Sequence, residues 1–140
     1  MALDNIFGIA GSALNAQTAR MNATASNLAN AGAVASTEAG AFRAKRTVFK
    51  TIMEQQMNSP EINKGGVKVA GIMDDPKPIS RMSDPGNPAA DKDGYVYLAN
   101  VNEMTEMVEM MASARSYQNN VEVVNTVRQL TLRTLDIIKS

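Results

Sequence analysis

The last quarter of the chain constrains the fold most. Residues 102–138 contain neither glycine nor proline and carry two adjacent apolar rows at helical spacing. One row runs Met107, Met110, Ala114, Tyr117, Val121 and Val124, and continues beyond Arg128 as Thr131, Leu135 and Ile138; its neighbour runs Val123, Val127, Leu130, Thr134 and Ile137. This pattern predicts one uninterrupted amphipathic helix roughly 55 Å long. Asn102 stands where an N-cap is needed, Glu103, Glu106 and Glu109 follow it, and Arg128, Arg133 and Lys139 come late, so the charges complement the helix dipole. A globule of this chain's length would be around 40 Å across. The helix does not fit inside one, and part of its stripe is expected to be covered by another molecule.

A second helix is predicted at the other end. Leu3, Ala10, Gln17 and Thr24 form one row of sevens, and Phe7, Leu14, Met21 and Leu28 form another offset by four. That alternation is a coiled-coil-type seam over residues 3–30. Its opposite face lacks the Lys and Glu of a solvated helix and offers Asn5, Ser12, Asn15, Asn22, Ser26, Asn27 and many alanines. Small uncharged residues suit a face packed against other backbones within an assembly.

Between these ends the composition changes. All five prolines fall within residues 60–88, which predicts an irregular or β-rich centre. Residues 42–57 place Val48, Phe49, Ile52, Met53 and Met57 at helical spacing. Gly65-Gly66 then opens an alternating run through Val67, Val69, Gly71 and Met73, and Asp74-Asp75-Pro76 reads as a turn. A short strand is expected within 78–82 with Ile79 inward, a loop over 84–88, and a hairpin-type turn at Asp93-Gly94 before the strand Tyr95–Leu98. The expectation is a β element of two or three strands. The chain divides into 1–35, 36–100 and 101–140, and the fold class is mainly α, with long N- and C-terminal helices and a small β-rich, irregular central region.

Chemistry is sparse. With no Cys and no His, thiolate nucleophiles, disulfides, the commonest metal ligand and the usual general base are all missing. Fourteen basic residues balance fourteen acidic ones, which argues against a role in coating nucleic acid. Asp91-Lys92-Asp93-Gly94 resembles a fragment of a calcium loop without its closing Glu, and reads as a turn. Lys64-Gly65-Gly66 does not match a phosphate loop. Asp74 and Asp75 are adjacent and point apart in a strand, so they do not form a carboxylate pair. Arg43, Lys45, Arg46 and Lys50 read as a solvated basic face, with an acidic partner as the alternative. Met104, Met107, Met110 and Met111 suit an adaptable protein contact. We expect no catalytic, cofactor or metal site, no membrane span, and no cleaved secretory signal in the first residues.

Two stretches carry a resemblance. Residues 12–17 (SALNAQ), 20–22 (RMN) and 25–30 (ASNLAN) are similar to the N-terminal signature of bacterial flagellar rod, hook and hook-associated axial proteins, and 40–45 (GAFRAK) to the stretch after it. Residues 93–96 (DGYV), 100–102 (NVN) and 106–123 (EMVEMMASARSYQNNVEV) resemble the short proximal-rod members of that family. Residues 31–35 (AGAVA) replace the usual Asn/Thr-rich turn, and Ala99 replaces a common Pro.

The resemblance implies a non-enzymatic structural subunit, exported by the flagellar type III apparatus without a cleaved signal. Such subunits build a helical tube whose inner layer, coiled-coil-like, is made of the terminal helices around the export channel. The implied location is the periplasmic rod of the basal body. The implied partners are further copies, other rod proteins and the ring/rod junction. Leu14, Met21, Asn27, Leu28, Asn30, Met107, Met110, Arg115, Tyr117, Val121, Val124 and Leu135 are the expected assembly contacts. A coiled-coil adaptor or export-system binding module is the competing reading.

Overall fold

The computed structural model describes residues 2–52 and 65–139. The expected helical residues Met53 and Met57 lie outside these, as do Lys64 and the side chains of Leu3 and Ile138. Helix α1 runs Ala2–Ala29 and helix α2 runs Glu103–Lys139. Five short strands lie between them: β1 Val34–Ala35, β2 Lys45–Thr51, β3 Val67–Asp74, β4 Arg81–Ser83 and β5 Tyr95–Leu98. The mainly helical expectation, with a small central sheet region, therefore holds.

The helices pack side by side and antiparallel, since Arg20 meets Glu109 while Asn27 meets Glu106. The start of α1 and the end of α2 thus lie at one end of the helix pair, and the β2–β3 pair runs back along α1 from Asn27, which bonds Lys45, to Ser12, whose Oγ accepts the Val67 N–H at 3.2 Å. Buried positions on α1 are Ala10, Ala16, Ala23, Thr24 and Asn27; on α2 they are Glu106, Ser113 and Val127. The fully buried side chains of the two helices are thus small or polar rather than large and apolar, and α1 is covered by β2 and β3 as well as by α2. The α2 stripe is accordingly rotated from its expected centre. Met110, Tyr117, Val124 and Thr131 are half-buried, whereas Met107, Val123, Leu130 and Ile137 face outward. The α1 seam is divided in a similar way: Ala10 and Thr24 are buried, Gln17, Leu14, Met21 and Leu28 are half-buried, and Phe7 is exposed.

The centre contains two sheets rather than one small element. Strands β2 and β3 form an antiparallel pair, and β1, β5 and β4 form a three-stranded antiparallel sheet in that order. The helix expected over 42–57 is replaced, where residues are described, by β2. Thr47, Val48 and Phe49 are strand formers, and β3 provides a partner for the whole length of β2. A register shift between Val48 and Phe49 breaks the two-residue alternation, which left only a helix-like spacing to read in the sequence. In the other sheet β1 pairs with β5 (Val34 opposite Leu98, Ala35 opposite Tyr97). At two residues, β1 is too short to leave a periodic trace. Arg81 lies over the Tyr95 ring, 4.9 Å from its centroid, bracing β4 against β5. Val96, in the central strand β5, is fully buried.

Turn chemistry follows the sequence more closely. Asp91 Oδ1 accepts N–H bonds from Asp93 and Tyr95, both at 2.9 Å, and Gly94 takes a φ of 79°. This is a turn built on an Asp side chain, and it closes the long β4–β5 connection rather than a two-residue hairpin. Gly66, with a φ of 136°, sits so close to α1 that a Cβ there would lie 2.8 Å from Ser12 Oγ. Only glycine gives both the conformation and the space.

Candidate assembly surface and polar junction

Where α1 ends and α2 begins, five segments meet around buried polar groups. Asn27, on the last turn of α1, is fully buried. Its Oδ1 accepts the Lys45 N–H at 2.7 Å and its Nδ2 donates to Lys45 O at 3.0 Å, so the amide pairs with the start of β2 as a neighbouring strand would. The same Nδ2 donates to Glu106 Oε2 at 2.9 Å. Only a primary amide can meet this demand for one acceptor and two donations.

Glu106, in the first turn of α2, is also fully buried, and its other oxygen lies 2.8 Å from the Arg46 guanidinium. Arg46 turns its Nε to Asp75 Oδ2 at 3.2 Å. Asp75 continues the network: its Oδ1 accepts the Lys77 N–H at 3.0 Å and its own N–H donates to Ala44 O at 2.7 Å. Asn100, just before α2, accepts the Ala44 N–H at 2.7 Å and donates to the carbonyls of Asp75 and Lys77 at 3.2 and 3.0 Å. The expected N-cap is in place, with Asn102 Oδ1 accepting the Thr105 N–H at 2.9 Å.

These contacts set the charge states. The Lys77 backbone N–H does most to hold Asp75 below its ordinary value of 3.8; burial works against that, and Arg46 reinforces it. Burial also disfavours the charged form of Arg46, but Asp75 and Glu106 outweigh it and its pKa rises.

The basic cluster read as a solvated face is therefore largely satisfied within the chain. Arg46 pairs with Glu106 and Asp75, Lys45 with Asp74, and Arg43 approaches Glu38 at 3.7 Å. Asp74 and Asp75 serve different cations, as their opposite directions along a strand require. An open cleft of about 540 Å³ beside the junction is lined by Arg20, Lys45, Arg46, Asp75, Lys77 and Glu109 among others. Most of those charges are already paired, so the cleft offers little to a ligand. Among the described residues, no group of three or more Cys, His, Asp or Glu is placed to hold a metal, and no helix is long and apolar enough to cross a membrane.

The expected assembly residues separate into three sets. Asn27 is fully enclosed and bonded inside the chain. Leu14, Met21, Leu28, Asn30, Met110, Tyr117, Val121 and Val124 are half-buried along the helix pair. The Asn30 Nδ2 donates to Ser26 O at 2.8 Å, closing the end of α1. Met107, Arg115 and Leu135 are exposed.

Sequence reasoning missed Glu106, Arg46, Asp75 and Asn100 as a network. Glu106 carried one available signal, an acidic residue in phase with the apolar row at Met110, Tyr117 and Val124.

Two stretches of α2 leave large apolar side chains uncovered, one of them at its far end. From the pairing at Asn27–Glu106 and Arg20–Glu109, the start of α1 falls opposite about residue 130 of α2, so the last turns of α2 project beyond it. Leu130, Leu132 and Leu135 on this overhang are 52, 53 and 50% exposed. Nearer the junction, Met104, Val108 and Met111 are 72, 60 and 68% exposed on the outer face of α2.

Comparison with known proteins gives this surface a context. The family profile "Flagella basal body rod protein" matches residues 7–33, and "Flagellar basal body rod FlgEFG protein C-terminal" matches residues 92–137. "Flagellar basal-body rod protein FlgC" of Yersinia enterocolitica is 48% identical over 98% of both chains. The proteins of the same name from Escherichia coli O6:H1 and Salmonella typhimurium are 49% and 48% identical over the same share of each chain. The chain belongs to the FlgC family of flagellar basal-body rod proteins. One match covers most of α1, and the other covers β5 and most of α2. Arg46 and Asp75 lie outside both matched stretches and reach into the pair from between them.

Proposed function

We infer that this chain is a structural subunit of the proximal rod of the flagellar basal body, located in the periplasmic rod and without enzymatic activity. One observation carries the reading: near-half identity to FlgC proteins over 98% of both chains. The long helix pair is consistent with it, because a thin core of small residues leaves large apolar side chains along α2 for neighbouring subunits to cover. The half-buried residues Leu14, Met21, Leu28, Val121 and Val124 border that surface, and Met107, Arg115 and Leu135 lie on it. On this reading the terminal helices form a coiled-coil-like inner layer of a helical tube. Its partners are further copies, other rod proteins and the ring/rod junction, and export proceeds through the flagellar apparatus. The tube surrounds the export channel and transmits torque.

Deletion of the gene tests the reading. Basal bodies should stop at the inner-membrane ring, and the cloned chain should restore rods. Complete rods in the deletion strain overturn it.

A further inference from the structure

The buried face between α1 and α2 has little to fix its own register. Among the described residues, the buried apolar side chains of the two helices are small, Ala10, Ala16 and Ala23 on α1 (the last two also bordering β2) and Val127 on α2, with Ser113 fully buried as well. Small, similar side chains make shallow knobs, and two such helices can slide by a heptad and present much the same surface. The Arg20–Glu109 ion pair lies at a part-exposed site and holds the register weakly. The junction differs. Asn27 and Glu106 are completely enclosed: Asn27 is hydrogen-bonded to Lys45 and to Glu106 Oε2, and the other Glu106 oxygen has its ion pair with Arg46 but no hydrogen bond.

We propose that Asn27, Arg46 and Glu106 form a register key: they admit one alignment of α1 against α2 and tie the β2–β3 pair to that alignment. A slip of one heptad carries Glu106 about 10 Å along α1, away from both Asn27 and Arg46. It leaves a buried carboxylate, a buried amide and the Lys45 backbone groups without partners. A buried ion pair adds little net stability compared with apolar side chains of similar size, but separating it is costly. The key therefore works by penalising misalignment. Because Asn27 pairs with the Lys45 backbone and Arg46 is the next residue, β2 cannot keep its place while the helices move. The length of α2 overhanging α1 is fixed by the same contacts.

The absence of cysteine allows a direct test. Two reporter pairs are introduced into the full-length chain. Arg20→Cys with Glu109→Cys reads the observed alignment. Arg20→Cys with Ser116→Cys reads a one-heptad slip. Both remove the Arg20–Glu109 ion pair, leaving the junction to hold the register. Each is oxidised as purified protein and in isolated basal bodies, with otherwise unchanged sequence, with Glu106→Leu and with Glu106→Gln.

The otherwise unchanged chain should form only the first disulfide. Glu106→Leu should keep its helical circular dichroism yet form the second in an amount comparable with the first. Glu106→Gln keeps the acceptor for Asn27 and loses the ion pair with Arg46, and should give a smaller fraction of the slipped product. The proposal is overturned if Glu106→Leu stays helical with the first disulfide alone. It is also overturned if the unchanged background fails to form the first disulfide in both preparations. Should Glu106→Leu be degraded, Glu106→Gln decides, and a single native disulfide in that variant rejects the key.

Discussion

At position 27 the chain needs an amide, because the site presents one N–H, one carbonyl and one carboxylate to a single enclosed side chain. Asn27→Asp should destabilise the full-length protein by about 3 kcal/mol, since it sets a carboxylate against Glu106 and against a carbonyl oxygen. Glu106→Gln should recover part of that loss, because its amide can donate to the introduced carboxylate. A double-mutant cycle in urea measures this, and additive losses would refute it.

Asp75 makes a separate statement about pH. Its pKa is depressed in the fold, so its contribution is fully present above the ordinary value of 3.8 and is lost as pH falls through the lower folded value. Acid unfolding should therefore steepen below about pH 4, and Asp75→Asn should flatten that limb while leaving its shape near neutrality unchanged. Urea midpoints across the acid range give the comparison. None of these residues was legible alone. Arg46 sat in a run of cations that looked solvated, and its partners are 29 and 60 positions away, farther than any local pattern reaches.

Among the elements, the helices were legible and most strands were not. Helix α2 announces itself through an unbroken period and an Asn102 cap. Asn102→Ala should cost about 1 kcal/mol, read as a shift in the denaturation midpoint. Strand β2 was hidden because its shift at Val48/Phe49 disrupts alternation, and β1 because two residues have no period. The rotation of α2 has a different origin. Hydrophobicity points to Met107 and Val123, but the place closest to α1 favours Glu106 and Ser113, whose size and bonding fit there. Gly66 records another tertiary constraint. Gly66→Ala should destabilise by about 1–3 kcal/mol. Adding Ser12→Ala should relieve the clash with Ser12 Oγ but not the strain of the positive φ. Full recovery in the double variant would contradict that division.

For the whole molecule, one question is which surfaces serve the rod and which serve the fold. Leu28→Asp and Val121→Asp, on half-buried borders of the pair, should give soluble protein that fails to build rods, leaving cells non-motile. Lys92→Glu, on an exposed turn, should be far milder. Motility plates beside basal-body purification separate the cases, and normal rods from both carboxylate variants would remove these borders from the assembly surface. The sequence anticipated surplus apolar area because a helix of 37 residues cannot be enclosed by so short a chain. It could not reveal which face remained free, since that depends on where α1 docks.

The antiparallel helix pair puts the start of α1 and the end of α2 at the same end, away from the polar junction. For anyone labelling the protein, the outer ends of the two helices are then one address. A fluorescent or affinity tag on either should burden the same end of the helix pair, and moving it from one helix to the other should bring no relief. The exposed β4–β5 connection, where Gly86 faces open space, is the better attachment point. A short epitope inserted there should leave swimming intact while terminal fusions abolish it.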